Sequence, residues 1–402
     1  MKSILILCGG TEAIAAVKTA KSMGLFVIVA DADMSAPCKE FADLFIKASI
    51  YHPEEIIAEL EINHKDLIID GVITVAADNP LSVAKVSSYL GLESIKEKTA
   101  EIASNKTLMK KNLATLDINI PWYSEIDSKK DLKKIIKNRP GEYVLKPIDS
   151  RGSRGVIRIS SYEACEKAFN YSINYSDSKK LILEEWITGD QLSSESIVVK
   201  GKTKLCGLAD RNYSNINKTY PYVVEDGGET PSKYSSNYLF SKIDDVMNKI
   251  VKKINLINGS IKGDLILHNN KLYLIEFAVR LSGGFFSTIT IPNVYGYNLV
   301  KNVIKLALGE KVNLPEGNLK PKLFQANRFL FLESGRVKKI SGLPSQSEYI
   351  YDFNLSIKTD QKIFQTINHT LRYGSVMVMH NTRENAILLA NKTISDLKIE
   401  LY

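Results

Sequence analysis

Cysteine and histidine are scarce in this chain, and neither is spaced to act in concert. The four cysteines (Cys8, Cys38, Cys165, Cys206) contain no CxxC pair. The five histidines form no zinc-ligand pattern. Reduced, buried thiols of a cytoplasmic protein are the reading that remains. Long apolar runs are missing as well, so no membrane partner is expected. The opening Met1–Leu7 has a basic residue and an apolar run, but Gly9-Gly10 breaks it before a secretory core could form. Basic residues outnumber acidic ones, 53 to 45, for a net charge of +8. They lie scattered, with no stripe or tail interleaved with aromatics, which argues against a nucleic-acid partner. No internal repeat or low-complexity tract stands out.

What is present is an ordinary globular composition, 44% hydrophobic and 24% charged over 402 residues, enough for two or three structural units. Residues 3–8 read as a buried strand and 12–23 as a helix. Residues 25–30 read as a second strand closing on Asp31 and Asp33, a βαβ unit of the doubly wound kind. An apolar strand over 71–76, then Asp78-Asn79-Pro80 and a helix over 81–90, completes a small α/β domain. Further on, helices are expected over 104–116 and 129–137. A strand follows at 143–147, then a helix over 241–254, a hairpin over 261–277 and a helix near 297–308. Residues 208–240, rich in Asn, Tyr, Gly and Ser, read as one long loop. Within it Arg211, Lys218 and Glu225 read either as residues facing a substrate or, the favoured reading, as solvated charges. Short strands and a closing helix over 383–397 form a last unit.

Three constellations carry chemistry. Asp149-Ser150-Arg151-Gly152-Ser153-Arg154-Gly155 lies between two expected strands, where glycine permits close backbone approach and Ser and Arg add donors for phosphate oxygens. Lys146, just before it, would place an ammonium on the same phosphates. A Walker A loop is excluded, because no GK[ST] occurs and no helix directly follows. The hairpin Gly263–Glu276 turns at Asn269-Asn270 and brings Asp264 and Glu276 near cross-strand register. An odd-numbered loop would set them on one face, where they repel unless a cation lies between them. Mg²⁺ with phosphate oxygens fits such a pair. Arg280 follows, able to clamp a phosphoryl group or to partner Glu276, and then Gly283-Gly284. Gly9-Gly10 lacks the GxGxxG spacing of a dinucleotide fold.

Taken in order, these pieces resemble the ATP-grasp superfamily along nearly the whole chain, in its carboxylate–amine ligase branch (L-amino-acid ligase, PurT and biotin-carboxylase types). The resemblance implies an α/β (α+β) chain in three parts. A Rossmann-like pre-ATP-grasp domain would cover 1–95, and the ATP-grasp domain 96–315, with a lid subdomain about 118–185. A small C-terminal lobe would cover 316–402. Ser104-Asn105-Lys106, with Leu113 and Ile120-Pro121, is similar to the segment whose lysine contacts the nucleotide. That makes Lys106 and Lys146 the ATP lysines, and Ser150, Gly152, Ser153 and Gly155 part of the phosphate-covering loop. Glu184-Glu185-Trp186-Ile187 looks like the adenine hinge, with Glu184, Trp186 and Ile187 on the base. Gln191 stands where a ribose-binding glutamate is usual, and Glu195 where relatives carry a further acid. Asp264 and Glu276 would hold Mg²⁺ (or Mn²⁺), while Ala278 replaces the usual asparagine and cannot ligate. Arg280 and Lys146 would be catalytic. Arg328, Gly335 and Leu371-Arg372-Tyr373-Gly374 resemble the C-terminal lobe of that branch.

The implied reaction uses ATP to convert a small carboxylate to an acylphosphate, which an amine then attacks. The implied alternative activates formate or bicarbonate. Small-molecule carboxylate and amine partners are expected, and a homodimer by analogy alone.

Overall fold

In a computed structural model the chain is described over residues 1–402, apart from the side chain of Asn237. It opens on four parallel strands, β1 (Ser3–Ile6), β2 (Phe26–Asp31), β3 (Leu44–Lys47) and β4 (Val72–Ile73), in the order β3-β2-β1-β4. Every residue of β1 is buried. A parallel strand covered on both faces has no solvent side to mark with polar residues, which is why its sequence is a continuous apolar run. The helices α1 (Ile14–Ser22) and α2 (Pro53–Asn63) connect β1 to β2 and β3 to β4, and α3 (Pro80–Tyr89) follows β4. β4 is shorter than the apolar run 71–76 implied, two residues only.

The single helix expected over 104–116 is instead two, α4 (Glu97–Ser104) and α5 (Lys106–Leu113). Asn105 between them is extended, and its side chain accepts the Leu108 N–H as an N-cap. The break sets Lys106 on the first turn of α5.

A second sheet follows: β5 (Tyr123–Ile126), β6 (Tyr143–Pro147), β7 (Ile157–Ile159) and β8 (Leu181–Glu185), in the order β5-β8-β6-β7. With α6 (Lys129–Asn138) and α7 (Cys165–Ile173) it encloses its own core around Leu132, Tyr143, Leu145 and Leu183.

The third sheet is the largest. Its first members are β9 (Asp190–Val199), β10 (Lys202–Asn212) and β11 (Gly227–Thr230). α8 (Asn237–Ile254) leads into the hairpin β12 (Gly259–His268) and β13 (Lys271–Ala278), and α9 (Ile291–Tyr295) and α10 (Leu299–Ala307) follow. The last segment supplies β14 (Phe324–Phe329), β15 (Gly335–Ser341), β16 (Ile350–Leu355), β17 (Lys362–Ile363), β18 (Gly374–His380), α11 (Arg383–Asp396) and β19 (Lys398–Leu401). Strands β14, β18 and β16 join the large sheet, whose eight strands run β13-β12-β9-β10-β11-β14-β18-β16. The other three form a small sheet, β17-β15-β19.

The long loop expected over 208–240 is therefore wrong for much of its length. β10 runs to Asn212, β11 occupies 227–230 and α8 begins at 237. Gly227 and Gly228 gave β11 the look of a loop. Both sit where strands crowd: a Cβ on Gly228 would lie 2.5 Å from the Asp210 carbonyl oxygen, and one on Gly227 2.4 Å from that of Asn327.

β9 shows how the large sheet divides the molecule. Val198 packs into a core with Ile243, Met247, Ile250 and Val251 of α8. Its neighbours Ile197 and Val199 belong to the core that contains β1, β2 and α10. Successive side chains point to opposite faces, so one strand serves both cores. Among the described residues no helix is long and apolar enough to cross a membrane.

Candidate active site

A cavity of about 740 Å³ lies where all the units meet. The second sheet contributes Lys146 and Glu184, the large sheet Arg211, Asp264 and Glu276, and the first unit Glu12 and Asp78. The last segment adds Asn327, His369 and Arg372. Of the nucleotide and metal residues named from the sequence, Lys106, Lys146, Ser150, Gly152, Ser153, Glu184, Trp186, Ile187, Gln191, Asp264, Glu276 and Arg280 all line it. Gly155 does not. It has φ +74°, and a Cβ there would come within 2.7 Å of the Pro147 ring, so it shapes the loop's exit.

The acidic pair is set by a bulge rather than by an odd loop. Asn269 and Asn270 form a two-residue turn, both with positive φ, and pairing runs regularly from His268↔Lys271 to Leu265↔Leu274. It then jumps to Asp264↔Glu276, leaving Ile275 as the extra residue. That jump puts the two carboxylates directly opposite. Lys106 Nζ stands 4.0 Å from Glu276, and Arg211 and Lys262 lie 3.1 Å and 2.8 Å from Asp264. Burial pushes the Asp264 carboxyl up, but Arg211 and Lys262 outweigh it and hold the group well below its ordinary value.

Arg280 does not partner Glu276. It pairs with Asp78 at 2.6 Å, so its guanidinium is fixed by the first unit. Burial opposes ionisation of Asp78, and Arg280 more than restores it. Arg211 and Glu225 are also not solvated charges. They pair at 2.8 Å, both largely buried, in the cavity wall. Lys218 is exposed and does not line the cavity.

The glycine-rich loop is held from three sides. Lys106 Nζ donates to the Ser150 carbonyl at 2.7 Å. Arg151 donates to the Asp78 carbonyl at 2.9 Å and stacks over Tyr51. Ser153 Oγ lies 3.1 Å from His369 Nε2, and the His369 N–H donates to the Gly152 carbonyl. Burial, with Arg372 and Arg211 nearby, holds that imidazole well below its ordinary pKa and therefore neutral.

At the hinge, Glu184 is buried between two lysines, Lys110 at 3.1 Å and Lys146 at 3.2 Å. The Trp186 N–H donates to the Glu142 carbonyl, so that donor is already engaged within the second sheet's loops. Arg158 lies over the Trp186 ring, 4.4 Å from its centre. Glu195 is fully buried. It accepts from Ser282 N–H and pairs with the Ser282 hydroxyl, while Oε1 has no partner. Burial raises it to about 7. Glu12 accepts the Gly284 N–H at 2.7 Å, fastening the first unit to the Gly283-Gly284 turn.

Arg211 and Glu225, candidates from the sequence to face a substrate, do line the cavity. Sequence reasoning missed Lys110, Glu12 and His369. Each is brought in by pairing across more than one element, and no local spacing marks it. Asp264 and Glu276 offer hard oxygen donors face to face, with Glu276 held only loosely. Among the described residues no third His, Cys, Asp or Glu completes a cation cage. The pair thus fits a Mg²⁺ whose remaining ligands are phosphate oxygens.

Comparison with known proteins agrees with this geometry. Residues 103–284 match the ATP-grasp domain, and residues 328–402 match the L-amino acid ligase C-terminal domain 2. A formate-dependent phosphoribosylglycinamide formyltransferase of Prochlorococcus marinus is 26% identical over 225 residues, 53% of this chain and 56% of that protein. The chain thus spans about half the length of the curated relatives it matches. The structure of an L-amino acid ligase from Bacillus licheniformis superposes with a TM-score of 0.84 at 19% identity, covering 100% of this chain and 99% of that one. A phosphoribosylglycinamide synthetase from Anaerococcus prevotii gives 0.73 at 21% identity, with 100% of both chains covered. Residues 103–284 thus form an ATP-grasp domain, and the fold and the ordered residues along the cavity agree with that match.

Proposed function

We propose that this chain is an ATP- and Mg²⁺-dependent carboxylate–amine ligase. It makes an amide bond through an acylphosphate, releases ADP and phosphate, and acts on an amino acid or a related small metabolite. The observation that carries this reading is the Asp264–Glu276 pair, set opposite by the Ile275 bulge in the cavity that Lys106 and Lys146 also line.

In this reading the adenine edge meets the Trp186 carbonyl and the Ile187 backbone, and Gln191 bonds a ribose hydroxyl. Lys106, Lys146 and the loop over 150–153 receive the phosphates. Mg²⁺, when bound, neutralises phosphate charge between Asp264 and Glu276. A carboxylate oxygen of the first substrate attacks the γ-phosphorus and ADP leaves. The amine then attacks the acyl carbon, and phosphate departs. Phosphoryl transfer asks mainly for positioning and charge neutralisation. Arg280 supplies a cation held in one place by Asp78. The loop, tethered to Tyr51 and His369, keeps water from the acylphosphate.

A formate- or bicarbonate-activating enzyme is the second reading, and the match to a formate-dependent relative favours it over other choices. ADP release with Mg²⁺-ATP, measured against a grid of amino acids, small acids and amines, separates the two. Release that requires an amino acid together with an amine supports the ligase. Release with formate or bicarbonate supports the alternative, and no release across the grid despite ATP binding overturns both. Homodimeric assembly is part of the proposal by analogy.

A further inference from the structure

Lys110 is almost completely buried, yet nothing in the scheme above uses it. Its Nζ lies 3.1 Å from Glu184 Oε2 and donates to the Ile275 carbonyl at 2.7 Å. Those partners belong to the two sheets that line the cavity, Glu184 to β8 and Ile275 to β13. Ile275 is also the bulged residue beside Glu276, so its carbonyl is released from the regular ladder and open to a side-chain donor. A lysine that deep costs several kcal/mol to desolvate unless it meets strong acceptors, and both acceptors are here.

The arrangement around Glu184 is asymmetric in a useful way. Lys110 holds Oε2 and Lys146 holds Oε1 at 3.2 Å. Lys146 is also the lysine that must reach phosphate in the proposed function, on which this inference rests. If Lys146 were the sole cation on Glu184, moving it to phosphate would strand a buried carboxylate. The acid would then keep the lysine and the nucleotide would lose it. We propose that Lys110 is a positioning residue that neutralises Glu184 and thereby lets Lys146 pass from Glu184 to a nucleotide phosphate. Through Ile275 it also anchors the bulge that aims Glu276.

The test compares ATP with adenosine, because only ATP can call on Lys146. Dissociation constants for both are measured by competition calorimetry in the wild type and in Lys146→Met, Lys110→Met and the double variant Lys110→Met/Glu184→Gln. The expected result is that Lys110→Met narrows the preference for ATP over adenosine by about tenfold, the value of one charge-assisted hydrogen bond. The double variant, with no acid to retain Lys146, regains the wild-type ratio within about twofold of measurement. A purely structural lysine would weaken both ligands alike and leave the ratio unmoved, which overturns the proposal. If Lys110→Met does not fold, Lys110→Gln, which can still donate to the Ile275 carbonyl but carries no charge, takes its place: a narrowed ratio that the added Glu184→Gln restores supports the assignment, and an unmoved ratio overturns it. A wild type without preference for ATP, or a Lys146→Met that keeps it, defeats the nucleotide-site reading itself rather than the role of Lys110.

Discussion

Glu276 faces Asp264 because Ile275 is squeezed out of the ladder, and the substitution that tests the pair follows from that geometry. Glu276→Gln keeps the shape and removes one hard anionic donor. Turnover is expected to fall by about 10²-fold or more while the melting temperature stays near that of the wild type. Steady-state ADP release beside a thermal melt checks both halves. Glu195 makes a different prediction. Its carboxyl rises from the usual 4.5 to about 7 on burial, so the folded chain binds the proton more tightly than the unfolded one. Its contribution to stability is therefore greatest below about pH 4.5 and declines as pH rises to about 7. Glu195→Gln cannot titrate, so its melting temperature relative to the wild type should improve between pH 5 and pH 8. Parallel pH series of melts would show the trend, and parallel curves would remove Glu195 as a buried titrating group. At this scale the sequence was legible where the chain itself fixes the partner. Two strands and one turn place Asp264 against Glu276 within 13 residues. Lys110 and Glu184 lie 74 residues apart and Glu12 and Gly284 272 apart, and nothing short of the fold joins them.

The elements were readable where periodicity was strong and misread where close packing selected glycine. β1 and α8 announce themselves by an apolar run and a helical stripe. β11 hides, because two of its four residues are glycines required by the carbonyls beside them. Gly189, between β8 and β9, belongs to the same class. It holds φ +146°, and a Cβ there would sit 2.4 Å from the Leu267 carbonyl oxygen. Gly189→Ala should cost about 1–3 kcal/mol and displace the Trp186–Ile187 hinge, weakening ATP. Urea unfolding and nucleotide titration of the variant measure the two effects. An unperturbed variant would mean that β8 and β9 tolerate separation there.

For the whole molecule, the boundary near residue 315 read from Gly309 and Pro315 marks a change in chain direction more than an independent body. β14, β18 and β16 continue the large sheet past β11. The junction is sealed by charge: Arg383 reaches both Asp210 and Glu229, and Arg328 pairs with Glu229 at 2.7 Å. All four are largely buried. Arg383→Ala leaves Asp210 without its arginine and Glu229 with Arg328 alone, and should destabilise the protein by about 3 kcal/mol. Denaturant melts followed by circular dichroism would read this as one cooperative transition at lower midpoint, not as loss of a separate lobe. No periodicity could reveal this junction, because it depends on β11 and β14, far apart in the chain, choosing each other, as Gly227 does Arg328.

The chain holds two tryptophans, and they are differently placed. Trp186 lies in the cavity wall beneath Arg158, whereas Trp122 packs edge-on to Tyr143 and under Arg139, outside the cavity lining. One indole thus meets whatever enters and the other remains a constant background. The molecule carries its own optical gauge of occupancy, so that arrival and departure of a ligand can be followed in real time by intrinsic emission, with no dye attached.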